Sequence, residues 1–171
     1  GRVVRSSRTM VPRHAPPSAG QPRLALRAQG GAGVGVGHLA RCLALTQAWR
    51  DRRGEATLVS HAVPEPWAGW YREEGVDVVE PGGAVDADVG LVDGYPLALA
   101  DLGPLGNGPR VRIDDHGLSP REPVDLVLDQ TAGADPGLYP QAVQVLVGPR
   151  YVLLRRSLVA LARARASGGP E

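Results

Sequence analysis

Between residues 23 and 53 the chain runs RLALRAQGGAGVGVGHLARCLALTQAWRDRR, and few folds accommodate such a segment. Residues 24–26 read as a short apolar strand. Gly30, Gly31, Gly33, Gly35 and Gly37 then form a glycine-rich turn. With no Cβ, such a turn lets the backbone approach a ligand closely. An amphipathic helix opens at His38. Its first turn presents free N–H groups and the positive end of a helix dipole, a ready anion site. Leu39, Cys42, Leu43, Leu45 and Trp49 recur near helical spacing, so one face is buried. Arg41, Arg50, Arg52 and Arg53 mark the wetter face and the helix end, and Gly54 is the expected stop.

Two phosphate-binding loops can be tested against this turn. A dinucleotide fingerprint needs G-x-G-x-x-G. Counted from Gly31 the third glycine position is Val36, and counted from Gly33 it is His38. The acid expected at the end of the second strand is replaced by Ser60. A phosphate-cradling Gly-Lys loop is excluded because the chain contains no lysine. A histidine where those motifs place glycine or lysine points to chemistry near an anion rather than simple nucleotide cradling.

The rest of the chain repeats the strand-then-helix pattern. Strands are expected at residues 56–60, 76–79, 89–92, 111–113, 126–128 and 143–147. Helices are expected at 64–74, 97–105 and 157–166. Trp67, Trp70 and Tyr71 share a face of the second helix and read as core. Short Val- and Leu-rich strands alternating with helices predict an α/β domain with a mostly parallel sheet and right-handed crossovers. In such sheets ligands lie beyond the carboxyl ends of the strands. Here those ends carry His38, then Asp93 and Tyr95, then Asp114, Asp115 and His116, then Asp129 and Gln130.

Composition narrows the function classes. A chain of 171 residues makes about one domain with a real core. Residues 1–22 are rich in Pro, Ser and Arg and read as a disordered leader. A net charge of +1 argues against a dedicated nucleic-acid binder. The single cysteine, Cys42, forbids an internal disulfide, and no apolar run is long enough for a membrane span or a signal peptide. The expected location is the cytoplasm, and neither a metal nor a cofactor is expected. Among the remaining histidines, His14 lies in the leader, His61 follows the second strand and His116 follows the Asp pair.

One family resemblance gathers these positions. Its residues are Gly35-Val36-Gly37-His38-Leu39-Ala40-Arg41-Cys42-Leu43-Ala44-Leu45, Val92-Asp93-Gly94-Tyr95, Ile113-Asp114-Asp115, Asp129-Gln130, Tyr139, and 148–155 (GPRYVLLR) with Tyr151 inside it. In order and spacing they resemble the nucleotide-sugar hydrolases of pseudaminic acid biosynthesis and their relatives, the spore-coat polysaccharide biosynthesis proteins (the PseG/SpsG family). Those hydrolases act on UDP-2,4-diacetamido-2,4,6-trideoxy-β-L-altropyranose. The likeness covers about residues 23–156 and suits the family's amino-terminal half. It implies a Rossmann-like three-layer domain equivalent to one half of a GT-B fold, with 157–171 beginning the linker. It also implies metal-free hydrolysis that releases UDP. His38 corresponds to the family's proposed base toward water. Asp93, Tyr95, Asp114 and Asp115 correspond to residues near the sugar. Gly35, Gly37, Arg41, Gln130 and Tyr151 fall on the same motifs and are expected to bind substrate. The family's Asn-Gln pair is Asp129-Gln130 here. Its carboxyl-terminal domain, which carries most uridine and diphosphate contacts, has no counterpart in these residues, so a second domain or chain is expected to complete the cleft.

The chemistry expected of such a site is simple. A sugar bound through diphosphate already has a good leaving group, so an activated water and phosphate charge stabilisation suffice. A histidine can take the water proton. The helix dipole disfavours a second positive charge on its ring. Two other classes share these features: a GT-B glycosyltransferase domain, and a non-catalytic sugar-binding or assembly subunit.

Overall fold

The computed structural model describes residues 20–31, 34–103, 108–115, 117–119 and 121–168. Most of the expected leader, with His14, lies outside the described residues, as do Gly33, Gly106 and His116.

Seven strands form one sheet: β1 (Arg23–Ala28), β2 (Glu55–Val59), β3 (Asp77–Val79), β4 (Val89–Asp93), β5 (Arg110–Ile113), β6 (Val124–Asp129) and β7 (Ala142–Val147). Among the described residues three α-helices accompany them: α1 (Gly37–Arg50), α2 (Trp67–Glu73) and α3 (Arg156–Ser167). Every strand pair is parallel, and the spatial order is β3-β2-β1-β4-β5-β6-β7. The first six strands therefore follow the doubly wound Rossmann order, and the chain is an α/β Rossmann-like domain.

This order explains the two cores. The chain steps outward from β1 to β3 in one direction and from β4 to β7 in the other. Right-handed crossovers then place the two sets of connections on opposite faces. On one face Leu24, Leu26, Ala28, Leu58 and Leu91 pack with Leu39, Cys42 and Leu43 of α1 and Tyr71 of α2. On the other, Ala25, Val92 and Val127 pack with Leu97, Leu99, Leu102 and Tyr139. The period-2 parity of the strands thus feeds both layers.

The second half departs from the expected alternation. Residues 97–105 were expected to be helical. The structure gives only a 3-10 turn at Leu99–Leu102, with others at Pro136–Leu138 and Pro149–Tyr151. Pro96, Gly103 and Pro109 bracket the first connection, and Gly133, Pro136, Gly137 and Pro140 fill a later one. Such residues break helices. On the opposite face, the α1 face, an apolar groove of about 300 Å³ lies over β4–β7, lined by Leu24, Trp49, Val89, Val111, Leu126 and Leu146 among others. Tyr151 and Leu153 also line it. No residue of α3 is buried.

Two boundaries carry a physical reason. β1 runs to Ala28 rather than ending near residue 26, so Arg27 lies inside a strand. Gly54 does not supply the left-handed residue after α1. Arg53 does, at φ 62°. A Cβ on Gly54 would meet the Trp49 indole, whose Nε1 donates to the Pro22 carbonyl at 3.1 Å. The glycine is there for close approach.

Among the described residues no helix is long and apolar enough to cross a membrane. Leu26 has no exposure in the middle of the central strand β1. Leu26→Ala is expected to lower the unfolding free energy by about 3 kcal/mol, through lost transfer energy and the cavity left behind. Urea denaturation followed by circular dichroism measures it. A loss below about 1 kcal/mol contradicts the placement of β1 at the core's centre.

Candidate functional site

The sheet order reverses between β1 and β4, and there the connections leave to opposite faces and open a crevice. Ala28 and Asp93 are paired in register at that point. The glycine turn follows β1. Gly31 and Gly35 form a short antiparallel bridge, with φ of 125° and 83°, a region that favours glycine. A Cβ on Gly30 would collide with the Leu39 side chain, so the turn sits directly on α1. Helix α1 starts at Gly37 with Val36 as N-cap and no side-chain cap. It has no acid in its first turn. Its first amides therefore open into the crevice uncapped by side chains.

Asp93, with no exposure, ends β4 and is the hub. Its Oδ1 lies 2.7 Å from His38 Nδ1. Arg41 donates to it through Nε at 2.9 Å and through Nη2 at 2.6 Å. One turn separates His38 from Arg41 on α1, so one helix face delivers both. Arg41 also donates through Nη1 to Asp115 Oδ2 at 2.5 Å. The Tyr95 hydroxyl donates to the same Asp115 oxygen at 3.3 Å, and the Tyr95 ring meets the His38 ring edge-on at 5.4 Å.

This geometry assigns the histidine tautomer. An ionised carboxylate only accepts, so the 2.7 Å contact requires a proton on Nδ1. Arg41 Nη2, which bears two hydrogens and only donates, lies 3.0 Å from the same nitrogen and 2.6 Å from Asp93 Oδ1, but the shorter contact of Nδ1 with the carboxylate favours the proton on Nδ1. Nε2 then carries a lone pair, with no protein partner among the described residues. Burial works against the Arg41 charge, yet Asp93 and then Asp115 outweigh it and hold the guanidinium protonated more firmly than in free arginine. Burial also raises the Tyr95 hydroxyl above its ordinary range, helped by Asp115. That phenol stays a donor at neutral pH.

The other expected site residues fall elsewhere. The Asp114 carboxylate accepts from the Leu118 and Ser119 amides at 3.1 Å each, ordering the turn after β5. Asp129 accepts from the Thr131 amide and the Tyr139 hydroxyl. Gln130 Oε1 accepts from the Leu153 amide at 2.8 Å, and this ties down the segment before α3. Tyr151 belongs to the apolar groove, beneath the Arg150 guanidinium. Gly35 and Gly37 are exposed at the turn, with open space where a Cβ would stand. His61 pairs with Glu80 at 2.6 Å, exposed at the ends of β2 and β3. Cys42 is fully buried in the apolar cluster, and burial pushes its thiol well up. Among the described residues no three His, Cys, Asp or Glu are arranged to hold a metal ion.

Compared with protein-family models, with curated proteins and with solved structures, the chain matches nothing in any of the three.

Asp93→Asn replaces an acceptor oxygen by a donor facing His38 and Arg41. Breaking a buried charged pair in this way is expected to cost about 3 kcal/mol of stability. Proton–nitrogen correlation spectra of the imidazole are expected to show the Nδ1–H tautomer for His38 in the native chain and to lose that preference in Asp93→Asn. A native Nε2–H tautomer overturns the assignment.

Proposed function

We propose that this domain is the catalytic half of a nucleotide-sugar hydrolase, with His38 Nε2 as the base that activates water at the anomeric carbon. The observation that carries the reading is the Asp93–His38 pair at the switch point: a buried carboxylate on Nδ1 leaves Nε2 free to accept a proton. The motif likeness to the PseG/SpsG family supplies the substrate class, a UDP-activated diacetamido-trideoxy sugar, and the GT-B assembly in which a second domain or chain closes the cleft.

In this reading the water oxygen forms a bond to C1 as the bond from C1 to the phosphate oxygen breaks. The water proton passes to His38 Nε2, and UDP leaves with the electron pair. Arg41 binds Asp93 and Asp115 together and thereby holds the carboxylate that orients the imidazole. Tyr95 would hydrogen-bond the sugar, a role its 37% exposure supports. The uncapped first turn of α1 offers amides and a positive dipole end to the departing diphosphate.

UDP release from the diacetamido-trideoxy sugar nucleotide, in the presence of the cleft-completing domain, is expected to fall by about 10²–10⁴-fold in His38→Ala with the fold intact. Labelled water distinguishes the bond that breaks: attack at C1 puts the heavy oxygen in the sugar and none in UDP. Near-normal turnover in His38→Ala, or label in UDP, rejects the mechanism. Transfer to an acceptor sugar in preference to water turns the assignment to a glycosyltransferase.

A further inference from the structure

We infer that Arg27 forms a second subsite of the strand-end crevice, where its guanidinium receives an oxyanion, phosphate or carboxylate, of the bound ligand. Arg27 sits in β1, one residue before the Ala28–Asp93 pair, aligned with Val59 of β2 and Val92 of β4. Strand parity turns it away from Leu26 and Ala28, onto the face opposite α1. It is 6% exposed. Nη1 donates to the carbonyls of Ala28 at 2.8 Å and Val59 at 3.2 Å. Nε is buried without a hydrogen-bond partner.

Among the described residues no carboxylate lies within ion-pairing distance of this charge. Asp101 and Glu80 act on it only through space. The half-buried Arg41 and the buried Arg112 differ. Arg41 binds Asp93 and Asp115, and Arg112, 1% exposed, binds Glu122. Strand-end carbonyls are dipoles and leave a full positive charge uncompensated. Buried arginines are almost always paired, because an isolated buried charge is costly. Burial accordingly lowers the Arg27 pKa below its ordinary value. A central strand position that Val or Thr would fill more stably therefore holds a guanidinium whose Nη1 meets two strand-end carbonyls but whose charge has no carboxylate partner among the described residues. Its planar fork matches two oxygens of a phosphate or carboxylate.

Binding alone tests this, so failure of hydrolysis leaves it standing and the reverse. The full chain is titrated with inorganic phosphate, pyrophosphate and acetate at matched ionic strength against chloride, following its melting temperature. At least one oxyanion is expected to raise the native melting temperature saturably, and the phosphate and acetate arms tell which chemistry is taken. Arg27→Gln is expected to weaken that oxyanion at least tenfold while melting at or above the native chain in chloride. If Arg27→Gln does not fold, Arg27→Lys keeps the charge without the fork and is expected to lose affinity by the same measure. No oxyanion stabilising the native chain beyond chloride, or a substituted chain responding as the native one does, overturns the proposal. So does a lower melting temperature of Arg27→Gln in chloride with its oxyanion response unchanged, since Arg27 then only caps the carbonyls of β1 and β2.

Discussion

A carboxylate sealed from solvent at the tip of β4 holds the first helix to the sheet where the strand order reverses. Asp93 accepts from one ring nitrogen and two guanidinium nitrogens, all supplied by the first turns of α1. Removing a carboxylate from water costs several kcal/mol, and charge-assisted bonds of this number and length offset it. The same bonds set the angle at which α1 leaves the glycine turn. They also fix which imidazole nitrogen faces the crevice. In the proposed function, stability and chemistry would therefore depend on one group, which lies where a doubly wound sheet opens.

The halves of the sheet are finished differently. α1 and α2 pack on β1 and β2, and the Tyr71 hydroxyl donates to the Leu39 carbonyl at 2.8 Å across the two helices. The connections after β4 are too rich in Pro and Gly to form α-helices, so their anchors are polar. Asp114, Asp129 and the Tyr139 hydroxyl knit the turns after β5 and β6, and Arg112 with Glu122 pins the Leu97 region from below. Acids read as site candidates from their position after strands thus divide into two sets. Asp93 and Asp115 face Arg41 and His38, whereas Asp114 and Asp129 turn inward to backbone amides and a phenol.

Much of the fold was legible in the sequence, for simple reasons. Short Val- and Leu-rich apolar runs gave all seven strands to within a few residues, and helical spacing of Leu39, Cys42, Leu43 and Trp49 gave α1. The cluster of His38, Asp93, Tyr95 and Asp115 was legible because strand ends in a parallel sheet converge. Which of the acids meets His38 was not. Adjacent aspartates such as Asp114 and Asp115 differ only in the direction the chain takes over one peptide, and spacing does not record that. Tyr151 and Gln130 sit on motif positions, but their contacts depend on how the final segment folds back under α1. Arg27 was missed because a strand read as ending at Leu26 places the next arginine in a solvated turn. The signal was there: Leu24-Ala25-Leu26-Arg27-Ala28 puts a charge in phase with Ala25 on a face that must be covered.

That phase has a consequence for how a ligand would lie. At the ends of β4 and β5 stand two carboxylates, Asp93 and Asp115, of which the single guanidinium of Arg41, reaching across from α1, neutralises one charge. On the β1–β2 side stand a lone guanidinium and, across the glycine turn, the positive end of α1. Both potentials act near a low-dielectric sheet edge, where they are screened less than at an open surface. In the proposed function, a ligand with an anionic end and an electrophilic carbon would be oriented by these potentials before contact. Its anion would be drawn over the glycine turn, beside the exposed Val34 and Val36, and its carbon toward His38. The glycines fit this view as well: a side chain there would stand between the anion and the amides that receive it.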